Sequence, residues 1–303
     1  MLWRRLYTGR GRRFFSVYNA KFISNDGGIF VFGADGSNVF DIDGLSGMTM
    51  TLTKSQTYSR VGENVSSKAT GGRTLTINGR IYNNISSVKS SMLRTFGAFT
   101  AGKLIFDDKF YIMVIVKDTP TVSPKKNDGA FMLRLFAPDP YFRDMKTQYV
   151  EFSSTIANFT FPFTLSENKF TLGTVTPTKT ANAYNDGDAS TAYTLTITAL
   201  QKTTNPRLSC GNEYIAFAMT LEENDELIVW RADDGSFHAG WHKTGSDKDI
   251  DDKVLDAVQY LDDGSTLFEL GVGDNNLVAS NKEGVTMGVV VSFNSPFSGV
   301  YEA

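Results

Sequence analysis

Hydrophobic and polar residues alternate with a period of two along most of this chain, the pattern of strands that bury one face and wet the other. In "GGRTLTINGRIY" (residues 71–82), Leu75, Ile77 and Ile81 oppose Thr74, Thr76 and Asn78. The period changes once in the first half. Over residues 86–102, Val88, Met92, Phe96 and Phe99 recur at helical spacing behind Ser86 or Ser87 as an N-cap, with Gly102 available to close the helix. "KLIFDDKFYIMVIVKD" then predicts two strands around an Asp107-Asp108 turn, and the strand "AFMLRLF" follows the loop "DTPTVSPKKNDG". That strand stops abruptly at "FAPDPYFRD" (residues 136–144), where Pro138 and Pro140 each withhold a ladder donor and push the preceding residue toward extended geometry.

Beyond the stop, a Ser/Thr/Asn-rich passage leads to the polar tract "GTVTPTKTANAYNDGDAST" (residues 173–191), which reads as a surface loop or long hairpin rather than a linker between domains. Alternation resumes in "AYTLTITAL", "YIAFAMTL", "ELIVW" and "GVTMGVVVSF", separated by Asn, Asp and Gly turns. Short strands so spaced predict an antiparallel β-sandwich. One short helical candidate interrupts them, with Val254, Leu255, Val258 and Leu261 behind an acidic start. No repeat of solenoid or propeller length is visible. The fold class expected is mainly β: a β-barrel-like first domain with one α-helix over residues 1–147, and an antiparallel β-sandwich over 148–303.

A chain of 303 residues with 41% hydrophobic content can bury two cores. Its longest apolar runs, such as "YIMVIV", fall far short of the roughly 20 residues of a membrane span, so no membrane is expected among its partners. "MLWRRLYTGRGRRFF" has arginines but no apolar segment behind them, so it does not read as a secretory signal. The single cysteine, Cys210, excludes an internal disulfide and suits assembly in a reducing cytoplasm. Charge changes the picture more. Residues 1–150 hold 21 Lys and Arg against 11 Asp and Glu, a net of +10; the remainder hold 9 against 22, a net of −13. Either two domains merely have unlike surfaces, or a basic half sits against acidic neighbours or phosphate while an acidic half faces elsewhere.

Catalytic patterns are missing: there is no Gly-x-Ser-x-Gly elbow, no Walker loop, and "GRGRRF" lacks both the third glycine and the preceding strand of a dinucleotide site. No enzyme, metal or cofactor is therefore expected. His238 and His242 would suit zinc only on a helix, and Gly240 between them favours a strand, on which they stand about 13 Å apart. Cys210 lacks a histidine partner at a recognised spacing and reads as a buried apolar thiol. "DKDIDDKVLD" (residues 247–256) starts like a calcium loop but has Asp252 where glycine is needed and is followed by Val258 where glutamate is needed. "DIDG" (residues 41–44) reads as turn chemistry. Trp230, Phe237 and Trp241 gather around one predicted hairpin, either as core or as a sugar-stacking platform. Arg4, Arg5, Arg10, Arg12 and Arg13, interleaved with aromatics, could contact a nucleic-acid strand, although no other nucleic-acid motif supports that.

Together these elements resemble the distal tail protein (Dit) family of tailed bacteriophages. "IDGLSGMTMTLT" followed by "GGRTLTINGRIY" is similar to the family's Gly-Leu loop and Arg-initiated strand, and the helix leading into "GKLIFDDKFYIMVIV" to its helix and hairpin. "FAPDPYFRD" is similar to the Asp-Pro-Tyr-aromatic close of its first domain. "AYNDGDASTAYTLTITAL", "TNPRLSC", "TLEENDELIVW" and "LFELGVGDNNLVAS" resemble turns and strand starts of the second domain, so the likeness runs through nearly the whole chain. Val272, Asp274 and the Glu223-Asn224 pair depart from the family pattern.

The resemblance implies a structural virion protein of the tail tip or baseplate, assembled in the host bacterial cytoplasm. Such a protein forms a homo-hexameric ring that joins the tail tube protein to a hub or baseplate protein. Its second domains, galectin-like or carbohydrate-module-like, project outward and carry receptor-binding proteins or touch cell-wall carbohydrate in host attachment. On this reading Pro138, Asp139, Pro140, Tyr141 and Phe142 form the joint between domains, the five N-terminal arginines contact tube or ring, and Trp230, Phe237 and Trp241 could contact glycan. The alternative class is a free-standing, lectin-like carbohydrate-binding protein.

Overall fold

The computed structural model describes residues 19–33, 38–56, 61–157, 173–232, 235–243 and 255–300. They fall into two compact units: unit 1, Met1–Met145 with Phe297–Ala303, and unit 2, Lys146–Pro296. The chain thus passes from unit 1 to unit 2 and returns.

Unit 1 is built on β1 (Ala20–Ser24), β2 (Ile29–Phe32), β3 (Asn38–Asp43), a separate pair β4 (Met50–Ser55) and β5 (Asn64–Thr70), β6 (Arg73–Ile81), helix α1 (Ile85–Thr95), β7 (Ala101–Phe106), β8 (Phe110–Val122), β9 (Ala130–Ala137) and β10 (Phe142–Asp144). The main sheet is antiparallel in the order β2-β1-β7-β8-β9-β6-β3, with β10 on β8. It curls until Phe32 of β2 and Phe40 of β3, at opposite ends of that order, meet at 5.4 Å between ring centroids. This gives the β-barrel-like form. The alternation of β6 has the expected result: Leu75, Ile77 and Ile81 are buried, Leu75 opposite Leu135 and Ile77 opposite Leu133 on β9. Asp107 and Asp108, both at positive φ, make the tight β7–β8 turn whose twist matches its strands. β8 runs on to Val122, so the loop before β9 is shorter than its polar sequence suggests. Two register shifts near Pro120 let a proline sit in that strand.

Helix α1 covers the core with one face and leaves its other side exposed. Met92 and Phe96 are fully buried, and Phe96 lies 4.6 Å from Phe22, 5.5 Å from Phe30 and 5.9 Å from Phe32, centroid to centroid. The helix is shorter than its spacing predicts. It begins behind Asn84, in the left-handed region without a side-chain cap bond, and ends at the non-helical Phe96. Phe99, which shares the helical spacing, instead stands 83% exposed at φ 62°. At the start of the unit, residues 41–43 of "DIDG" continue β3, and the chain turns only at Gly44, φ 94°.

Unit 2 comprises β11 (Gln148–Glu151), β12 (Ser153–Ala157), β13 (Gly173–Pro177), β14 (Thr180–Asn185), β15 (Thr194–Thr198), β16 (Thr203–Thr204), β17 (Arg207–Cys210), β18 (Glu213–Ala216), β19 (Thr220–Leu221), β20 (Glu226–Arg231), β21 (Phe237–His242), β22 (Leu255–Asp256), β23 (Gly273–Ser280) and β24 (Gly288–Phe293). Two antiparallel sheets, β11-β24-β15-β20-β21-β22 and β14-β23-β17-β18, face one another. Leu195, Ile197, Leu227, Val229, Val289 and Val291 of the first sheet pack in one core with Ala183, Leu208, Ile215 and Leu277 of the second, which is the expected sandwich. The tract at 173–191 is not simply a loop, since it supplies β13 and β14. The short helical candidate becomes β22 and a 3₁₀ turn at Val258–Tyr260.

Candidate assembly and binding surfaces

The first candidate is the β4–β5 arm. Among the described residues its two strands pair only with one another, and every residue of both is exposed. Local chemistry holds it: Ser67 donates to Thr53 Oγ1 at 2.8 Å, Ser66 donates to the Thr53 carbonyl at 3.1 Å, and Lys54 and Glu63 pair at 2.9 Å. Met50 and Leu52 share a face by strand alternation and are exposed apolar residues, as is Val65 opposite Lys54. A two-stranded ribbon with no buried face is marginal in water. It is also an open template on both edges. Elsewhere on unit 1, Ile29 and Val31 of β2 likewise point outward.

The proline-flanked stop lies wholly inside unit 1, which runs on to Met145. Pro138 is exposed and Pro140 buried. Asp139 turns the chain by accepting from the Tyr141 amide at 3.2 Å and pairing with Arg143 at 2.8 Å. Tyr141 is half-buried. Phe142 is fully buried, its ring 5.7 Å from Phe106, and the Arg73 guanidinium carbon lies 4.7 Å from its centroid.

Arg73 is the functional-looking residue that sequence reasoning passed over. Only 4% exposed, it donates through Nη1 to the Gly44 and Leu45 carbonyls at 2.9 and 3.0 Å, and through Nη2 to the Ser298 carbonyl at 2.5 Å. Its Nε has no partner among the described residues, and burial lowers its pKa from the usual arginine value. The sequence marks it only as the first residue of the Arg-initiated strand, and nothing in "GGR" announces burial.

In unit 2 the predicted aromatic group is divided by the sheet. Across β20 and β21, Trp241 pairs with Leu227 and Phe237 with Arg231 on the core-facing side, whereas Trp230 pairs with His238 on the other. Trp230 stacks on the His238 ring at 5.3 Å. Trp241 packs against the core and donates its indole N–H to the buried Asp225 at 3.2 Å. His238 and His242 lie on a strand, as Gly240 suggested. Among the described residues no group of three His, Cys, Asp or Glu side chains is placed to hold a metal ion. Cys210 is half-buried at the end of β17, and burial, reinforced by Glu213, pushes its thiol pKa up, which works against a nucleophilic role. Arg4, Arg5, Arg10, Arg12 and Arg13, and most of the acidic tract, lie outside the described residues.

No protein-family model matches this chain, and no curated protein matches it. Its fold, however, runs the whole length of solved phage structures. The SPP1 Dit (gp 19.1) protein, described as a paradigm of the hub adsorption apparatus in phages infecting Gram-positive hosts, superposes with a TM-score of 0.60 at 10% identity, over 93% of this chain and 100% of that one. The fold is that of a Dit protein. A chain of the phage P2 baseplate in its activated, calcium-bound conformation agrees with a TM-score of 0.52 at 9% identity, over 94% of this chain and all of the other. The Dit fold accounts for both units together, the curled sheet with its covering helix and the sandwich. Identity this low carries the architecture and no residue-level role.

Proposed function

We propose that this chain is a structural, non-enzymatic component of a phage tail tip, a distal tail protein whose unit 1 copies close into a hexameric ring between the tail tube and the hub or baseplate. The observation that carries the reading is the end-to-end Dit fold with an arm that has no core of its own. Our reading of the arm is heterologous: its apolar face in one copy covers an outward patch of unit 1 in the next, Ile29 and Val31 of β2 being candidates. Contacts between unlike patches generate rings when the rotation closes, and closure satisfies strand edges that would otherwise aggregate. The basic charge of the first half would face neighbours and tube, the acidic second half would face outward to receptor-binding components, and the ring would lie in the virion tail.

Light scattering on the full chain tests this. The variant carrying Met50→Ser, Leu52→Lys and Val65→Ser is expected to keep the wild-type unfolding temperature, because these residues contribute nothing to the core, yet to lose the ring mass and to be left out of assembled tails. A variant that enters tails as well as wild type would refute the arm's role. A wild-type protein found monomeric and absent from virions would instead favour the lectin-like alternative.

A further inference from the structure

Among the described residues no other strand pairs with the β4–β5 arm, so its direction is set at its two roots. One root is stiff. Residues 71–73 close the base of the arm, the Gly71 N–H donating to the Thr49 carbonyl at 2.9 Å, and lead straight into β6, where Arg73 stands opposite Ala137 of β9. The other root, residues 44–49, joins β3 to β4 through two glycines at positive φ, Gly44 at 94° and Gly47 at 79°. A stretch of that kind has many conformations open to it unless its backbone is held. Arg73 holds it, donating through Nη1 to the Gly44 carbonyl at 2.9 Å and the Leu45 carbonyl at 3.0 Å.

A third stretch of chain completes this clasp. Residues 297–300 belong to unit 1 but follow the whole of unit 2, Lys146–Pro296, in the sequence. The Ser298 carbonyl accepts from Arg73 Nη2, and the Val300 N–H donates to the Leu45 carbonyl at 3.4 Å, so the returning segment is tied both to the guanidinium and to the mobile-prone root. Apolar contact anchors it as well. Phe297 stands edge-on to Phe110 at 5.5 Å between ring centroids, and Phe297 and Val300 pack on the same core as Leu45. We propose that residues 297–300 act as a strap that fixes the direction of the β4–β5 arm, so that the arm is set only once unit 2 has been made and the strap has docked. The order of elements gives the device its effect. The arm, its roots and Arg73 all precede unit 2, and until the strap arrives the guanidinium is without the Ser298 carbonyl and the Leu45 carbonyl without the Val300 N–H. A partly made chain therefore carries a loose arm, which costs more entropy to seat on a partner than one already held. The use of the arm in assembly rests on the ring proposed above; the coupling of strap to arm does not.

Distances between paired spin labels on the full-length chain, diluted among unlabelled copies, test the strap. In a Cys210→Ala background, Lys68→Cys on the arm with Asn78→Cys on β6 reports the direction of the arm, and Asn78→Cys with Lys109→Cys reports unit 1 itself; all three positions are exposed. With the strap intact, one sharp distance is expected between positions 68 and 78. Phe297→Ala removes the ring contact of the strap, and Val300→Pro removes its N–H. Each should widen that distribution about twofold, because a freed glycine-containing root samples positions roughly 10 Å apart, while the distance between positions 78 and 109 stays sharp. Val300→Pro disturbs no ring contact and serves if Phe297→Ala fails to fold. An arm distance equally narrow with and without the strap contacts, or already broad with the strap intact, would overturn the proposal. The ring stands or falls separately, since a chain that never assembles can still hold its arm firmly, and one that assembles can keep a narrow arm distance when the strap is weakened.

Discussion

Replacing Arg73 with leucine is expected to destabilise unit 1 by about 3 kcal/mol or more, since three carbonyls lose a donor at about 1–3 kcal/mol each. Its guanidinium satisfies the Gly44, Leu45 and Ser298 carbonyls and lies against the Phe142 ring. Burying a cation without a carboxylate is costly, and the lowered pKa shows that cost. A hydrophobic replacement can offset such a cost when both partners of a pair are replaced. Here the partners are backbone carbonyls that stay, and each loses its bond from the guanidinium. The loss should appear in two ways. Chemical denaturation should show the lower stability, and amide exchange should accelerate at Val300, whose N–H reaches the Leu45 carbonyl at 3.4 Å beside the clasp. A change below about 0.5 kcal/mol, the usual size of a surface substitution, would show that the clasp carries no energy.

Phe96→Ala should cost about as much, roughly 3–5 kcal/mol, the range for truncating a fully buried phenylalanine. The residue is fully buried, and three phenylalanines from β1 and β2 surround it. Its position at the end of α1 raises the cost, since the cavity would open where the helix is fastened to the sheet. Phe99→Ala is the internal control. That ring is exposed, so its removal should change the unfolding midpoint little, and equal losses at Phe96 and Phe99 would contradict the short helix.

The contrast between these phenylalanines shows what the sequence makes legible. Spacing placed Val88, Met92, Phe96 and Phe99 on one helical stripe, and the first three do face the core. Nothing local distinguishes Phe96, where the helix ends, from Phe99, beyond it, except Gly97 between them. Strands whose burial is one-sided were readable from alternation, as β6 and β15 show. The β4–β5 arm alternates too, yet neither of its faces is buried among the described residues, and alternation alone cannot reveal that. The tryptophans were separated for a related reason. Alternation fixes faces within a strand, whereas the face shared across a hairpin depends on register, and register set Phe237 opposite Arg231 rather than Trp230. The Arg73 clasp joins residues far apart in the chain, Arg73 with Ser298, and no single stretch encodes it.

Closure of a ring by unit 1 at the end of a phage tail, as proposed, is tested most directly by electron cryo-microscopy of intact virions. The predicted result is a closed, six-fold ring of this chain at the distal end of the tail tube, with each β4–β5 arm lying on the neighbouring copy. Virions that lack the chain, or that carry it as isolated copies on a tail tip whose ring is made by another protein, would contradict it.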